Sequence, residues 1–383
     1  MFKTPLAWLQ LTREKIRLLI ALAGIAFAVI LMFMQLGFQA ALYDSATRFH
    51  QNLQGDLVLI SARSKSLAFM ISFSWRRLYQ TLSFDGVESI TPIYIGFQEW
   101  KNPNNGSLRI IYVYGFEPVS PVFKFPGVAE NLDKLKLKEN ILFDRASRSE
   151  YGSIATEFEQ GKPIRTELGG KRVNVVGLFT LGPSFGADGN IILSDLSFIR
   201  LYPNRKLGEI ELGLIQLQPH ANAQAIAQKI QSILPKDVRV LTHQGFVDFE
   251  KNYWKTSTAI GFIFTLGVGM GFIVGTVIVY QILYSDVSDH LSEYATLKAM
   301  GYKSFYLEAV VLQEAIILSI LGFIPGFALS LGLYDLTKST TFLPIAMTPV
   351  RAFIVFMLTI VMCSFSGIVA MRRLRNADPA DIF

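Results

Sequence analysis

Residues 256–285 read TSTAIGFIFTLGVGMGFIVGTVIVYQILYS, a run without one charged side chain. A hydrocarbon core about 30 Å thick is crossed by roughly 20 helical residues rising 1.5 Å each. This run is longer than that, so it reads as a membrane helix with length to spare for tilt. Uncharged runs also stand at 18–43, 315–334 and 352–371. With the helical approach to the third included, the expected spans are 18–43, 256–285, 307–334 and 352–371. The fold class is then an α-helical membrane domain of four transmembrane helices joined to a large domain, 44–255, outside the bilayer. The run at 18–43 has the basic flank of a signal peptide (Arg13, Lys15, Arg17). A signal h-region is only about 7–15 residues long, so an uncleaved anchor is expected.

The composition agrees. Of 383 residues 17% are charged and 51% apolar, against about 25% charged in soluble domains. This excludes a disordered chain and argues against a fully soluble enzyme. The charges concentrate in the middle of the chain, which excludes a protein that is all membrane. The net charge of +6 comes largely from residues flanking the apolar runs, where they act as topology signals, and no nucleic-acid partner is expected. Lys3, Arg13, Lys15 and Arg17 precede the first run, and Arg372, Arg373 and Arg375 follow the last. Both termini (1–17 and 372–383) and the 286–306 loop are therefore placed in the cytoplasm, and 44–255 and the 335–351 loop outside. Leu6, Trp8, Leu9, Leu11 and Thr12 fit either an interfacial helix or an extension of the first span.

The outside domain has ordinary globular composition. Strands are expected at Gly55–Ser61, Val87–Trp100, Leu108–Phe116, Glu209–Gln218 and Asp237–Thr242. Helices are expected at Leu67–Leu82 and Ala221–Leu234. Asn102-Pro-Asn-Asn-Gly106 is a strong turn signal between two strands. The pattern is strand–helix–strand twice, an α+β unit with halves at 45–119 and 206–242. Short strands such as Lys171–Phe179 and Gly189–Ser194 make 120–205 a β-rich insertion, read as a second subdomain. Residues 243–255 read as a helical stalk running straight into the second span.

Little in the chain points to catalysis. No Gly-x-x-x-x-Gly-Lys-Ser/Thr is present: Gly161-Lys162 and Gly170-Lys171 are followed by Pro163 and Arg172, so no ATP hydrolysis is expected of this chain. Cys363 stands alone, which excludes an intramolecular disulfide and Cys-based metal sites. His50, His220, His243 and His290 lack metal-ligand spacing. No catalytic residues, no metal and no bound cofactor are expected. Gly267, Gly271 and Gly275 recur every four residues on the second span. Such a stripe permits close helix approach, either in a homodimer or within one chain. Gly182-Pro-Ser-Phe-Gly186-Ala-Asp-Gly189 reads as a loop of the β-rich insertion. Glu308 and Glu314 precede the third run, where a buried carboxylate costs at least ~2.5 kcal/mol, so Glu314 should face protein or headgroups, with a structural helix-end role favoured over a proton relay.

The segment SDHLSEYATLKAMGY at 288–302 leads into FYLEAVVLQEAIILS at 305–319. It resembles the cytoplasmic loop and third span of the FtsX/MacB-type permeases. The matching features are Glu293, Lys298-Ala-Met-Gly301, Glu314-Ala315, and a Gly-rich turn, Leu321-Gly-Phe-Ile-Pro-Gly326. The start (Leu11–Arg17, Ala23-Gly-Ile25) and the tail (Arg375–Phe383) are also similar, and the layout is shared along the whole chain. Phe185-Gly-Ala-Asp-Gly189 and Tyr294–Gly301 look like the DevC-type permeases of cyanobacteria.

The resemblance implies a MacB-like (type VII) ABC permease architecture in a bacterial inner membrane, with 44–255 periplasmic. It implies a homodimer, a separate ABC ATPase subunit where ATP and Mg act, a periplasmic membrane-fusion adaptor and a TolC-like outer-membrane channel. The implied cargo is glycolipid. The ATPase-coupling residues it indicates are Asp289, His290, Glu293, Tyr294, Leu297, Lys298, Met300, Gly301 and Tyr302. Phe185, Gly186 and Asp188 are expected to meet the adaptor. Motion would pass through the long first and second spans, and substrate would be pushed outward from the periplasmic side, in keeping with a lack of polar residues in the spans. An FtsX-like relay to cell-wall hydrolases and a LolC/LolE-like extraction of lipoproteins are the competing readings. The size of the outside domain and its β-rich insertion favour export.

Overall fold

The computed structural model describes residues 8, 11, 13–302 and 304–376, without the side chains of 295, 298, 299, 304, 307 and 372–376. The tail motif beyond 376 and Leu6, Leu9 and Thr12 of the expected interfacial helix lie outside the described residues. The chain divides into two compact units. One holds Met1–Ala41, Ala259–Thr341 and Ile345–Phe383, and the other holds Leu42–Thr258 with Phe342–Pro344.

The elements run α1 (Lys15–Gln51), β1 (Leu57–Ser61), β2 (Phe73–Ser74), α2 (Arg76–Gln80), β3 (Val87–Lys101), β4 (Leu108–Phe116), α3 (Leu132–Leu135), β5 (Asn140–Asp144), α4 (Ile154–Glu159), β6 (Ile164–Leu168), β7 (Lys171–Phe179), β8 (Asn190–Ser194), α5 (Asp195–Leu201), β9 (Glu209–Ile210), β10 (Leu212–Leu217), α6 (Ala223–Ile233), β11 (Val238–Thr242), α7 (His243–Asn252), α8 (Ala259–Asp289), α9 (Leu291–Ala299), α10 (Ser304–Thr341) and α11 (Pro349–Asn376). Among the described residues four helices are long and apolar enough to cross a membrane: Lys15–Gln51, Ala259–Asp289, Glu308–Thr341 and Pro349–Met371.

In the sheet unit nine strands join in the order β11-β1-β10-β3-β4-β8-β5-β7-β6. β1 pairs antiparallel with both β10 and β11, and β10 pairs antiparallel with β3. The strands on either side of β10, β1 and β3, therefore run parallel, as do β10 and β11 on either side of β1. These are two interlocked split crossovers. Alternate residues of β1 feed opposite faces: Leu57 and Leu59 enter one core, Val58 and Ile60 the other, as the two-residue period of a strand requires. The Asn102–Gly106 turn joins β3 to β4 in antiparallel register.

The structure departs from the sequence reading at four places. Leu67–Leu82 is not one helix. It holds a short turn of helix at Leu67–Phe69, then β2, then α2. Leu67 packs into one core and Phe73 and Leu78 into the other. A straight helix cannot serve both faces of a sheet. The 120–205 stretch does not form a separate subdomain. Its strands β5–β8 extend the same sheet, and β6 returns to β3 through Trp100↔Leu168. Six strands thus close on themselves around Trp100, Phe143, Ile164 and Val173.

The expected stalk is a packed element: α7 buries Phe246, Val247 and Glu250. A wide helical turn follows at Tyr253–Ser257, and Thr258 adopts extended backbone, so the helix does not run straight into the second span. Leu321–Gly326 is no turn, because α10 continues through Pro325. A turn there would free backbone groups inside the lipid layer. The glycines instead permit close packing: a Cβ on Gly322 would strike Ile25, and one on Gly326 would strike Val29.

Candidate functional site

Between the second and third spans the chain folds into α9 and a tight reversal at Gly301, whose φ is 94°. That left-handed conformation favours glycine and lets α10 begin three residues later. Tyr294 is the anchor of α9. It is 1% exposed and packs with Val287, Val311 and Met371, with Leu291 and Leu297 alongside. The Tyr294 N–H donates to the His290 carbonyl at 3.0 Å. α9 is thus fastened to α8, α10 and α11 by one buried face.

An ionic clamp holds the end of α8. Arg17 donates to Asp289 at 2.6 Å, with Glu14 at 3.0 Å and Asp286 at 3.7 Å. Arg13 lies 3.8 Å from Glu293. His290 is buried, its Nδ1 3.0 Å from the Asp286 carbonyl. Beyond α9 the side chains turn outward: Met300 is 64% exposed and Phe305 79%, with the Tyr302 and Tyr306 rings tilted against each other at 5.1 Å between centroids. Asp289, His290, Glu293, Tyr294, Leu297, Met300, Gly301 and Tyr302 therefore form one contiguous segment with a buried and an exposed face. Lys298 lies on α9, its side chain outside the described residues.

The glycine stripe is already used within the chain. Gly267 faces Gln35, Gly271 faces Leu31 and Met32, and Gly275 faces Met362 and Ala28. The first and fourth spans fill the groove within the chain, the second of the two uses that the stripe allowed. The exposed side of α8 is Phe262, Ile263, Leu266, Met270 and Ile273. Nor do the spans lack polar residues. Gln39 donates to Thr265 at 3.1 Å, and Ser366 donates to the Thr276 carbonyl at 2.8 Å.

Phe185, Gly186 and Asp188 sit in a half-buried loop. Asp144 is its foundation. The buried carboxylate accepts from Leu181 N–H (3.1 Å), Gly182 N–H (2.7 Å), Ala146 N–H (3.1 Å) and Asn190 Nδ2 (2.8 Å). Burial still holds its carboxyl above the ordinary value, and these hydrogen bonds pull against that shift. Arg48 donates to the Leu181 carbonyl. Asp188 is engaged by Arg148 at 3.0 Å and Arg109 at 3.7 Å.

Among the described residues no group of three or more His, Cys, Asp or Glu side chains is placed to hold a metal ion. The sequence reading missed Asp286 as a partner of Glu314. The signal was present: the two are the charged residues bordering the adjacent uncharged runs 256–285 and 315–334.

The helices and the inserted sheet define a multi-pass membrane protein with a large extramembrane domain. Residues 18–233 match the family model of the MacB-like periplasmic core domain, and residues 265–379 match the FtsX-like permease C-terminal model. The first match covers more than half of the chain. The protein belongs to that family and is an FtsX/MacB-type permease, a transmembrane subunit of the ABC-transporter class with a periplasmic domain.

Similar solved structures include the periplasmic region of MacB from Actinobacillus actinomycetemcomitans, at 12% identity and TM-score 0.36, covering 54% of this chain and 96% of that one. The extracellular domain of the noncanonic ABC-type transporter YknZ from Gram-positive bacteria is similar at 13% and 0.34, over 48% and 98%. A domain of a putative permease from Porphyromonas gingivalis is similar at 13% and 0.31, over 50% and 89%. No curated protein matches the chain.

Proposed function

We propose that this chain is the membrane subunit of an exporter whose ATP is hydrolysed by a separate ATPase docking on the segment 286–306. The anchored α9 carries this reading. A helix fixed by Tyr294 on one side, with Met300, Tyr302, Phe305 and Tyr306 exposed beside it, is built to accept a partner and pass its displacement into α8 and α10. Exposed aromatic and Met side chains are the common anchors of protein interfaces. In this reading 286–306 and both termini are cytoplasmic, ATP and Mg act in the partner, and the chain works as a homodimer.

The periplasmic unit would then engage a membrane-fusion adaptor and a TolC-like channel. The DevC-like segments at 185–189 and 294–301 support glycolipid as cargo. The Asp144-braced turn around Phe185 remains the proposed adaptor contact, presented as a fixed surface.

The test is a gentle-detergent pull-down of the chain from its native membranes, with partners identified by mass spectrometry. An ATPase recovered together with a periplasmic adaptor supports export. An ATPase with a cell-wall hydrolase and no adaptor overturns it in favour of mechanical signalling. An ATPase with lipoprotein cargo alone favours extraction.

A further inference from the structure

Glu314 is fully buried on α10, and no N–H or hydroxyl donor reaches either of its carboxyl oxygens among the described residues. It lies against the carboxyl of Asp286 on α8, itself 6% exposed, whose Oδ2 is likewise without a donor. Two ionised carboxylates in contact, out of water and with oxygens that lack a donor, repel strongly. A single proton between them removes one charge and supplies the missing hydrogen bond to both groups. We propose that Asp286 and Glu314 form an occluded proton-binding site, holding one proton between the two carboxyl groups where the second and third spans meet α9.

The surroundings assign the proton to one side. The cationic and imidazole groups stand near Asp286: Arg17 Nη1 at 3.7 Å and His290 Nδ1 at 3.8 Å from Oδ1. Among the described residues Glu314 has neither, so Asp286 stays ionised and accepts from a protonated Glu314. Among the described residues the other titratable groups on the packed elements are Glu14 ahead of α1, Asp289 at the end of α8, Glu293 and Tyr294 on α9, and Glu308 earlier on α10. α11 approaches through Gly367, which lies against Ala315. Arg17 also binds Asp289, and His290 directly precedes α9. A displacement of α9 therefore moves the groups that hold Asp286 ionised, and the proton passes to or from water at that end of the spans. No oxidant, reductant or second substrate is involved. A metal ion is the poorer occupant, because hard cations need several oxygen ligands and no group of three or more His, Cys, Asp or Glu among the described residues is placed to hold one.

The site does not depend on the export reading and is tested on the purified full chain in lipid nanodiscs, without partners. Infrared difference spectra of wild type minus Glu314→Gln at neutral pH are expected to contain a carboxylic-acid C=O band that shifts in D₂O. Absence of that band overturns the proposal. Asp286→Asn replaces the acceptor and is expected to shift the band's frequency. An unchanged frequency overturns the pairing, and this variant serves where Glu314→Gln does not fold. Loss of the band on adding sodium or magnesium chloride overturns the proposal in favour of a cation site.

Discussion

Asp144 shows how much one side chain settles. It satisfies three backbone N–H groups and the Asn190 amide around the 181–190 turn. Asp144→Ala leaves these donors buried without an acceptor, at about 1–3 kcal/mol for each one not rescued by water. The unfolding midpoint is expected to fall by several degrees, and protease cleavage within 183–188 to rise. An unchanged midpoint would contradict this role. Glu211 gives a pH prediction. It accepts from Ile95 N–H at 3.0 Å and pairs with Arg205 at 2.7 Å, yet burial holds its carboxyl above the ordinary value. The folded state thus retains the proton to higher pH than the unfolded state. The stability this contributes is fully present below the unfolded value, about 4.5, and is lost as pH rises through the folded value. Wild type should lose stability relative to Glu211→Gln as pH rises from about 4 towards 7. A difference flat with pH would show that Glu211 does not titrate this way.

At the scale of elements, the glycines of the spans are packing devices. Gly326→Leu drives a side chain into Val29 and the Ala26 carbonyl. Overpacking of this kind costs about 1–3 kcal/mol, so the variant should melt earlier in detergent at any protein concentration. A stability loss that vanishes on dilution would instead point to a contact between copies. Tyr294→Ala empties the anchor of α9, and a buried aromatic lost to alanine costs about 3–5 kcal/mol. Hydrogen exchange at 291–300 should accelerate while β1–β11 keep their protection. Equal acceleration in both would mean that Tyr294 is not a local fastening.

These cases also show what the sequence made legible. The β3–β4 hairpin was readable because Asn102–Gly106 carries its own turn chemistry. The spans were readable because lipid imposes a length. The segment 67–82 was misread because apolar spacing does not say which face of a sheet each residue serves. The glycine stripe was correctly seen as a close-packing surface, but spacing alone does not name the partner, and Ala28, Leu31 and Met362 supply it. Asp286 and Glu314 were visible as span-bordering charges, while their meeting depended on how α8 and α10 pack.

At the scale of the whole molecule, the periplasmic sheet unit and the helical unit each carry their own core, and the chain passes between them within α1, near Thr258 and at Phe342–Pro344. A permease of this layout needs one place where an ATPase takes hold, and the proposed place is α9 with the exposed residues after it. The direct measurement is cysteine cross-linking in native membranes with Phe305→Cys or Met300→Cys. Cys363, the chain's single cysteine, is buried and gives little background. A cross-link to an ATP-binding subunit whose yield changes with nucleotide is expected, and none from a control cysteine at Ile110 on β4. No cross-link from either position to any ATP-binding protein, with the chain folded and present in the membrane, would contradict it.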